Sequence, residues 1–402
     1  MTGPPIAFLT PVVPAASGNG LAMRAALLLE GLAAAGPVQV IVIPVFHSSV
    51  AASRLEPSEV VRSHAAGFSV VPLEDAPDAL ADAVARLTTA AGRTRATTLS
   101  PLPTLARTAT IAAGDHVARM TAHAAAIVVL RLYLAPFLDR VLDQPRRPRL
   151  VLDVDDVEST TRHRLGETEE AQAFERVEAH YLPVMDHVLT CSTSDADALV
   201  GRYSLDRARV TAVRNAVSPP AGRCEPAPAH DLLFVANLSY RPNVLGARWL
   251  CRRVLTHAAL ARATAALVGS GPTAEIRALA RPGRVTVAAD VASVGPWYAA
   301  SRVAVVPVPP AGGTRIKIIE AMAHRRPIVS TTAGAEGLDL GPTTSVVIAD
   351  GAEAFAHACR HLLDDPAESA ARAAAGWDWV EAHATIGVVA PRITSVLDRL
   401  LG

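Results

Sequence analysis

Short runs of Val, Ile, Leu and Ala recur along the chain, separated by longer stretches in which apolar residues return every three or four positions. The runs of the first half are Ile6–Leu9, Val38–Ile43, Phe68–Val71, Ile127–Leu130, Leu150–Asp153, His187–Cys191 and Val210–Val213. A strand with one solvated face alternates apolar with polar residues. These runs are apolar nearly throughout, which predicts parallel strands covered by helices on both faces. The spacing predicts helices between them, among them Leu21–Ala35, stopped by Gly36 and Pro37, and Glu167–Leu182, stopped by Pro183. Between Asn215 and His230 the periodicity fails and prolines concentrate, so a linker is expected. The pattern then restarts, with strands at Leu232–Ala236, Ala265–Val268, Val285–Val287, Val303–Val308, Pro327–Ser330 and Ser345–Ile348. Helices are expected at Val244–Leu255, Thr273–Ala280, Thr314–Ala323 and Ala352–Leu363, and Trp377–Leu401 is again helical in spacing.

The pattern predicts an α/β chain of two doubly wound domains, over 1–215 and 231–375, joined by a linker over 216–230. A C-terminal helical segment over 376–402 is expected to pack back toward the first domain. Open parallel sheets bind ligands at the carboxyl ends of their strands, so two such domains facing one another would enclose a cleft suited to two substrates.

Composition narrows the partners. The chain has 402 residues, and its 38 Lys and Arg balance 38 Asp and Glu, so no overall field attracts nucleic acid or an anionic membrane. Aromatic residues are only 4%, too few for platforms that stack on single-stranded nucleic acid. The longest apolar run, Ala124–Leu134, is interrupted by Arg131 and falls short of the ~20 residues of a spanning helix, so membrane association is not expected. No basic residue precedes Arg24, unlike a secretory signal. Cys191, Cys224, Cys251 and Cys359 are scattered, so neither a disulfide framework nor a zinc site is expected, and a reducing cytoplasm fits. Neither a Gly-x-Ser-x-Gly nor a Walker A motif occurs, and Ser192-Thr-Ser-Asp195 reads as a helix cap.

The densest chemistry lies in Val303–Ala323, an apolar strand, a turn of Pro and Gly, and a helix starting near Thr314. Amides of Gly313, Thr314 and Arg315 at such a helix start would favour a phosphate. Arg315 and Lys317, the latter the chain's only lysine, place two cations in the first turn, where cations alone are disfavoured; a bound anion would account for them. Glu320, one turn beyond Lys317, could accept hydrogen bonds from a ribose diol, or could form an ordinary surface pair with Lys317.

The run Gly312-Gly-Thr-Arg-Ile-Lys-Ile-Ile-Glu-Ala-Met-Ala-His-Arg-Arg-Pro-Ile-Val-Ser-Thr331, followed by Gly334-Ala-Glu-Gly-Leu338, resembles the donor-site signature of retaining glycosyltransferases of family 4. The segments Phe234–Val244, Leu267-Val-Gly-Ser-Gly-Pro272 and Val151–Ser159 agree with it. The resemblance implies the GT-B fold, two facing Rossmann-like domains with an interdomain cleft. It implies sugar transfer from a nucleotide-activated donor to a hydroxyl-bearing small molecule or glycan, with retention of configuration, and with neither a cofactor nor a metal. By position, Glu320 corresponds to the ribose-binding glutamate, Gly313 and Thr314 to backbone contacts with the donor sugar and diphosphate, and Gly269 to a further donor-side position. Gly312 stands where the family usually has a second glutamate that holds donor hydroxyls, a departure shared with a subgroup reading glycine-rich-Thr-Arg-x-Lys. Arg315, Lys317 and Arg241 become the candidates for neutralising the leaving diphosphate, although Arg241 can equally be a surface residue of its turn. Gly18 and Gly20 sit in a loop similar to the family's first glycine-rich loop; alone, such a loop is equally a tight turn.

Asp153, Asp155, Asp156 and Glu158 cluster at the end of a strand, where they could bind acceptor hydroxyls, hold phosphate through a divalent ion, or cap a helix; the metal-independence of the fold the chain resembles favours the acceptor side. Arg131 is either an acceptor-side cation or a salt-bridge partner of these acids, and Arg24 falls on the acceptor side as well. No motif selects among His116, His123 and His163 as a contact to the donor sugar. A sugar-nucleotide epimerase and a non-catalytic scaffold of the same fold remain alternatives, the first separated by whether nucleotide release needs an acceptor, the second by whether any nucleotide binds.

Overall fold

The computed structural model describes residues 3–75, 82, 97–220, 229–309, 316–338, 340 and 345–402. Contacts divide the chain into two compact units. The first comprises Met1–Ala15, Arg24–Arg214 and Ala390–Gly402, and the second Ala16–Met23 and Asn215–Val389.

The first unit is built on strands β1 (Ile6–Thr10), β2 (Val38–Val42), β3 (Gly67–Val70), β4 (Ala126–Leu130), β5 (Arg149–Asp153), β6 (His187–Thr190) and β7 (Val210–Ala212). They form one seven-stranded sheet in the order β3-β2-β1-β4-β5-β6-β7, with every pairing parallel. All residues of β1 and β4 are buried, as expected of central strands covered on both faces. The second unit carries β8 (His230–Val235), β9 (Ala265–Gly269), β10 (Val285–Ala289), β11 (Ser301–Val306), β12 (Ile328–Ser330) and β13 (Val346–Ile348). Their six-stranded parallel sheet runs β10-β9-β8-β11-β12-β13. Each apolar run read as a strand is one, displaced by a residue or two at its ends. Both sheets reverse their winding beside their first strand, between β1 and β4 and between β8 and β11, and such switch points leave an open crevice at the strands' carboxyl ends.

Helix starts follow side-chain chemistry. Asn19 accepts from the Ala22 amide at 2.8 Å at the head of the helix Gly20–Ala35, Ser192 from that of Asp195 at 3.0 Å, and Thr331 from that of Gly334 at 2.9 Å. Ser192 is thereby the expected cap. The helix expected over Thr273–Ala280 is shorter, Ala274–Arg277. The C-terminal segment is two helices, Pro366–His383 and Ile386–Leu401. They part where the Ala384 carbonyl accepts from the Val217 amide at 2.9 Å and Thr385 bridges Val217, a tertiary pairing that interrupts the helical ladder. Within the first unit, the last helix seats buried Ile393, Val396 and Leu397, and a Cβ on Gly31 would lie 2.7 Å from that of Ile393, so only glycine allows this approach.

Candidate functional site

The second unit brings together residues from three chain segments at the carboxyl ends of β8 and β11. Lys317, in the first turn of the helix Ile316–Ala323, donates from Nζ to Asn243 Oδ1 at 2.6 Å and lies 5.5 Å from the ring centre of Phe234, near the end of β8. Asn243 is 5% exposed, and its Nδ2 donates to the Asn237 carbonyl at 2.8 Å. Asn237 Oδ1 in turn accepts from the Ser239 amide and hydroxyl at 2.9 and 2.7 Å, which ties the loop after β8 into a fixed acceptor for the lysine. Arg241 opens the next helix with its side chain exposed.

Glu320 lies one helical turn beyond Lys317, only 9% exposed, and accepts from the Tyr298 hydroxyl at 3.2 Å. Burial pushes its carboxyl up to about 7, against the pull of the Tyr298 hydrogen bond and the Lys317 charge. Burial and the adjacent Glu320 also hold the Tyr298 hydroxyl well above its ordinary value. The Tyr298 ring stacks on His324 at 4.4 Å and 9°, and burial together with Arg326 lowers that imidazole to about 4, so it is neutral near pH 7. The result is a buried carboxyl poised near neutrality beside a cation.

Close backbone approaches surround this pair. Gly269 has φ +151°, and a Cβ there would lie 1.8 Å from the Ala236 carbonyl oxygen. Gly18 has φ +111°, and a Cβ on Gly20 would lie 2.9 Å from Ile316 Cγ2, which sets the glycine-rich loop against the start of the Lys317 helix. Gly312, Gly313, Thr314 and Arg315 lie outside the described residues.

The first unit gathers its charges at the carboxyl ends of β4, β5 and β6. Arg24, expected on the acceptor side, is fully buried in a pair with fully buried Asp153, Nη2 to Oδ2 at 2.6 Å and Nε to Oδ2 at 3.1 Å. Its Nη1 donates to the Val213 carbonyl at 2.6 Å. Burial alone would lower its pKa, but the charge and hydrogen bond of Asp153 together with the neighbouring Cys191 and Asp155 outweigh this and hold it above the ordinary value. With no exposed surface, Arg24 ties β5 to the chain after β7 rather than meeting an acceptor. Asp155, at φ +54°, pairs with Arg131 at 2.8 Å and accepts from the Cys191 thiol at 3.0 Å. Asp156 accepts from Thr161 Oγ1 at 2.6 Å. Neither caps the helix Glu158–Arg164, whose cap position is Val157. Arg131, at φ +82°, also reaches Glu158 at 3.2 Å and Asp156 at 3.8 Å. It is therefore the salt-bridge partner of these acids, with 15% of its side chain still exposed. Burial, with Asp156 nearby, pushes Glu158 up to about 7 against the pull of Arg131 and Arg162.

A search of the curated proteins gives no match. A family profile does match: residues 229–365 fit that of Glycosyl transferases group 1. Over this stretch, about a third of the chain, the sequence is similar to the group 1 glycosyltransferases. The stretch contains Phe234, Asn243, Gly269, Tyr298, Lys317, Glu320 and His324. Solved structures resemble the whole chain in fold. Sucrose-phosphate synthase from Thermosynechococcus elongatus superposes with a TM-score of 0.71 at 18% identity, covering 99% of each chain. WaaG, a glycosyltransferase involved in lipopolysaccharide biosynthesis, gives 0.64 at 13% identity over 99% of this chain and 100% of its own. HepE from Anabaena, in complex with UDP and glucose, gives 0.62 at 13% identity over 98% and 99%. The two parallel sheets are those of the GT-B fold.

Around Glu320 and Lys317, Tyr298 lies in no segment the sequence singles out, and Asn243 is marked only as part of Phe234–Val244. Tyr298 and Asn243 reach Glu320 and Lys317 only through the folded sheet. His324 did leave a trace, four positions after Glu320 on the same helical face. In the first unit Cys191 and the positive φ of Arg131 and Asp155 are legible only in three dimensions, and backbone strain of this kind gathers at functional sites.

Proposed function

We propose that this protein transfers a sugar from a nucleotide-activated donor, held by the second unit, to a hydroxyl of an acceptor held by the first unit, with retention of anomeric configuration. The observation that carries the reading is the placement, inside the matched stretch, of buried Glu320 one helical turn from Lys317, the first held by Tyr298 and the second by Asn243. Glu320 would accept from the ribose hydroxyls, as its near-neutral carboxyl ionises when two donors approach it. Lys317, fixed by Asn243, would stabilise the charge that develops on the departing diphosphate, joined by Arg315 and Arg241. Charge already in place costs no reorganisation during the reaction. The acceptor hydroxyl would attack from the leaving group's own face, its proton passing to the departing phosphate, without a metal ion.

Arg131 would be the first unit's exposed contact to the acceptor, oriented by Asp155 and Glu158. HepE, bound to UDP-glucose in another complex, makes a uridine diphosphate sugar the first donor to try. The buried free thiols Cys191, Cys251 and Cys359 suit a reducing cytoplasm.

The test is release of UDP from UDP-sugars, in EDTA, with and without a panel of hydroxyl-bearing acceptors, followed by NMR of the product's anomeric centre. Acceptor-dependent release with retention is expected. Conversion of the sugar without an acceptor would instead identify an epimerase.

A further inference from the structure

We propose that His257, Glu353 and His357 form a binding site for a divalent transition-metal ion, zinc foremost, within the second unit and apart from the Glu320 and Lys317 cluster. One ligand atom from each of the three lies within 4.8 Å of the other two. Glu353 and His357 are four positions apart on the helix Ala352–Asp364, and so project from one face. His257 reaches them from the short turn that precedes β9, its ring centre 5.0 Å from that of His357 in an edge-on contact.

Two features distinguish this group from an ordinary surface cluster. Among the described residues no hydrogen bond or ion pair engages the Glu353 carboxylate or the His357 imidazole, although arginine is plentiful in the chain. The donor set, two imidazoles and one carboxylate, is also one that zinc accepts with a water in its fourth position. Zinc-ligand bonds of about 2.0–2.2 Å set tetrahedral ligand atoms about 3.4 Å apart, so binding would draw together ligand atoms that now lie within 4.8 Å of one another.

His257 already has one commitment, since its Nδ1 accepts from the Ala259 amide at 3.2 Å. The bond is long. A metal would take the outer nitrogen, Nε2, with the ring proton shifted to Nδ1, which can then no longer accept from Ala259, so the ion replaces a weak cap with a link between the turn and the helix. No motif announces the site, because His257 is far in sequence from the other two ligands; the expectation of no zinc site rested on local Cys and His spacing.

The tag-free full chain, stripped with EDTA and desalted, is titrated with zinc chloride in a calorimeter, alongside His357→Ala, Glu353→Gln and His257→Asn. The first two change exposed side chains, and asparagine keeps an acceptor for the Ala259 amide, so all three should fold. One equivalent of zinc should bind the wild type, at least tenfold more weakly in each variant, and raise the melting temperature of the wild type alone. Absence of binding, or equal affinity in wild type and all variants, would overturn the proposal.

Discussion

Exchanging Glu320 for glutamine removes a charge and keeps the shape, and its effect on stability depends on pH in a direction the structure sets. In the unfolded chain a glutamate ionises at 4.5, whereas burial holds Glu320 protonated up to about 7. A carboxyl whose folded pKa is raised contributes stability that is complete below 4.5 and is lost as pH climbs through about 7. The interval, 7 − 4.5, corresponds to about 3 kcal/mol at about 1.4 kcal/mol per unit. Glutamine never ionises, so Glu320→Gln should gain about 3 kcal/mol over the wild type between pH 4.5 and pH 8. Glu158 is raised in the same sense but is common to both proteins and cancels. Urea unfolding followed by tryptophan fluorescence reads this cleanly, because Trp249, Trp297, Trp377 and Trp379 all belong to the second unit. The same variant should bind nucleotide about tenfold or more weakly, having lost charged hydrogen bonds to the ribose. A stability difference that stays flat with pH would refute the buried, proton-holding carboxyl on which the proposed donor site rests.

If Lys317 acts on developing charge as proposed, Lys317→Ala should lower turnover by about 100-fold or more while moving the melting temperature little; steady-state kinetics beside a thermal melt checks both. Gly269→Ala should cost about 3 kcal/mol or more, because its Cβ would meet the Ala236 oxygen at 1.8 Å, and expression yield with urea unfolding will show it. Arg24→Ala should destabilise the first unit by about 3–5 kcal/mol by leaving Asp153 buried and unpaired, whereas Arg24→Met with Asp153→Leu should recover most of the loss in melts followed by circular dichroism. An acceptor-specific rise in KM in the well-folded double variant would return Arg24 to the binding site.

The strands were legible because central parallel strands must be apolar on both faces, so runs such as Ile127–Leu130 and Val303–Val308 stand out against helical spacing. The segment proposed to hold the donor stands out in the sequence because its chemistry is contiguous, from the glycines through Lys317 to Glu320. What was not legible depends on tertiary distance. An arginine one turn into a helix reads alike whether it faces a ligand or pairs with Asp153 in the core, and nothing local chooses between them. Asn243 and Tyr298 are ordinary residues until the sheet sets them against Lys317 and Glu320. The break at Ala384 and Thr385 is hinted at only by Gly387, two residues on; its cause, the pairing with Val217, lies in a distant segment.

The measurement that tests the central claim most directly is a thermal melt of the wild type and Glu320→Ala with UDP, GDP, dTDP and ADP and their sugar conjugates. A nucleotide at a hundred times its dissociation constant should stabilise the fold by about 2.7 kcal/mol. The account predicts that one nucleotide class, uridine first, raises the melting temperature of the wild type and has no effect on the variant. If no nucleotide shifts the wild type, or if the shift persists in Glu320→Ala, the second unit does not hold its donor in the way described.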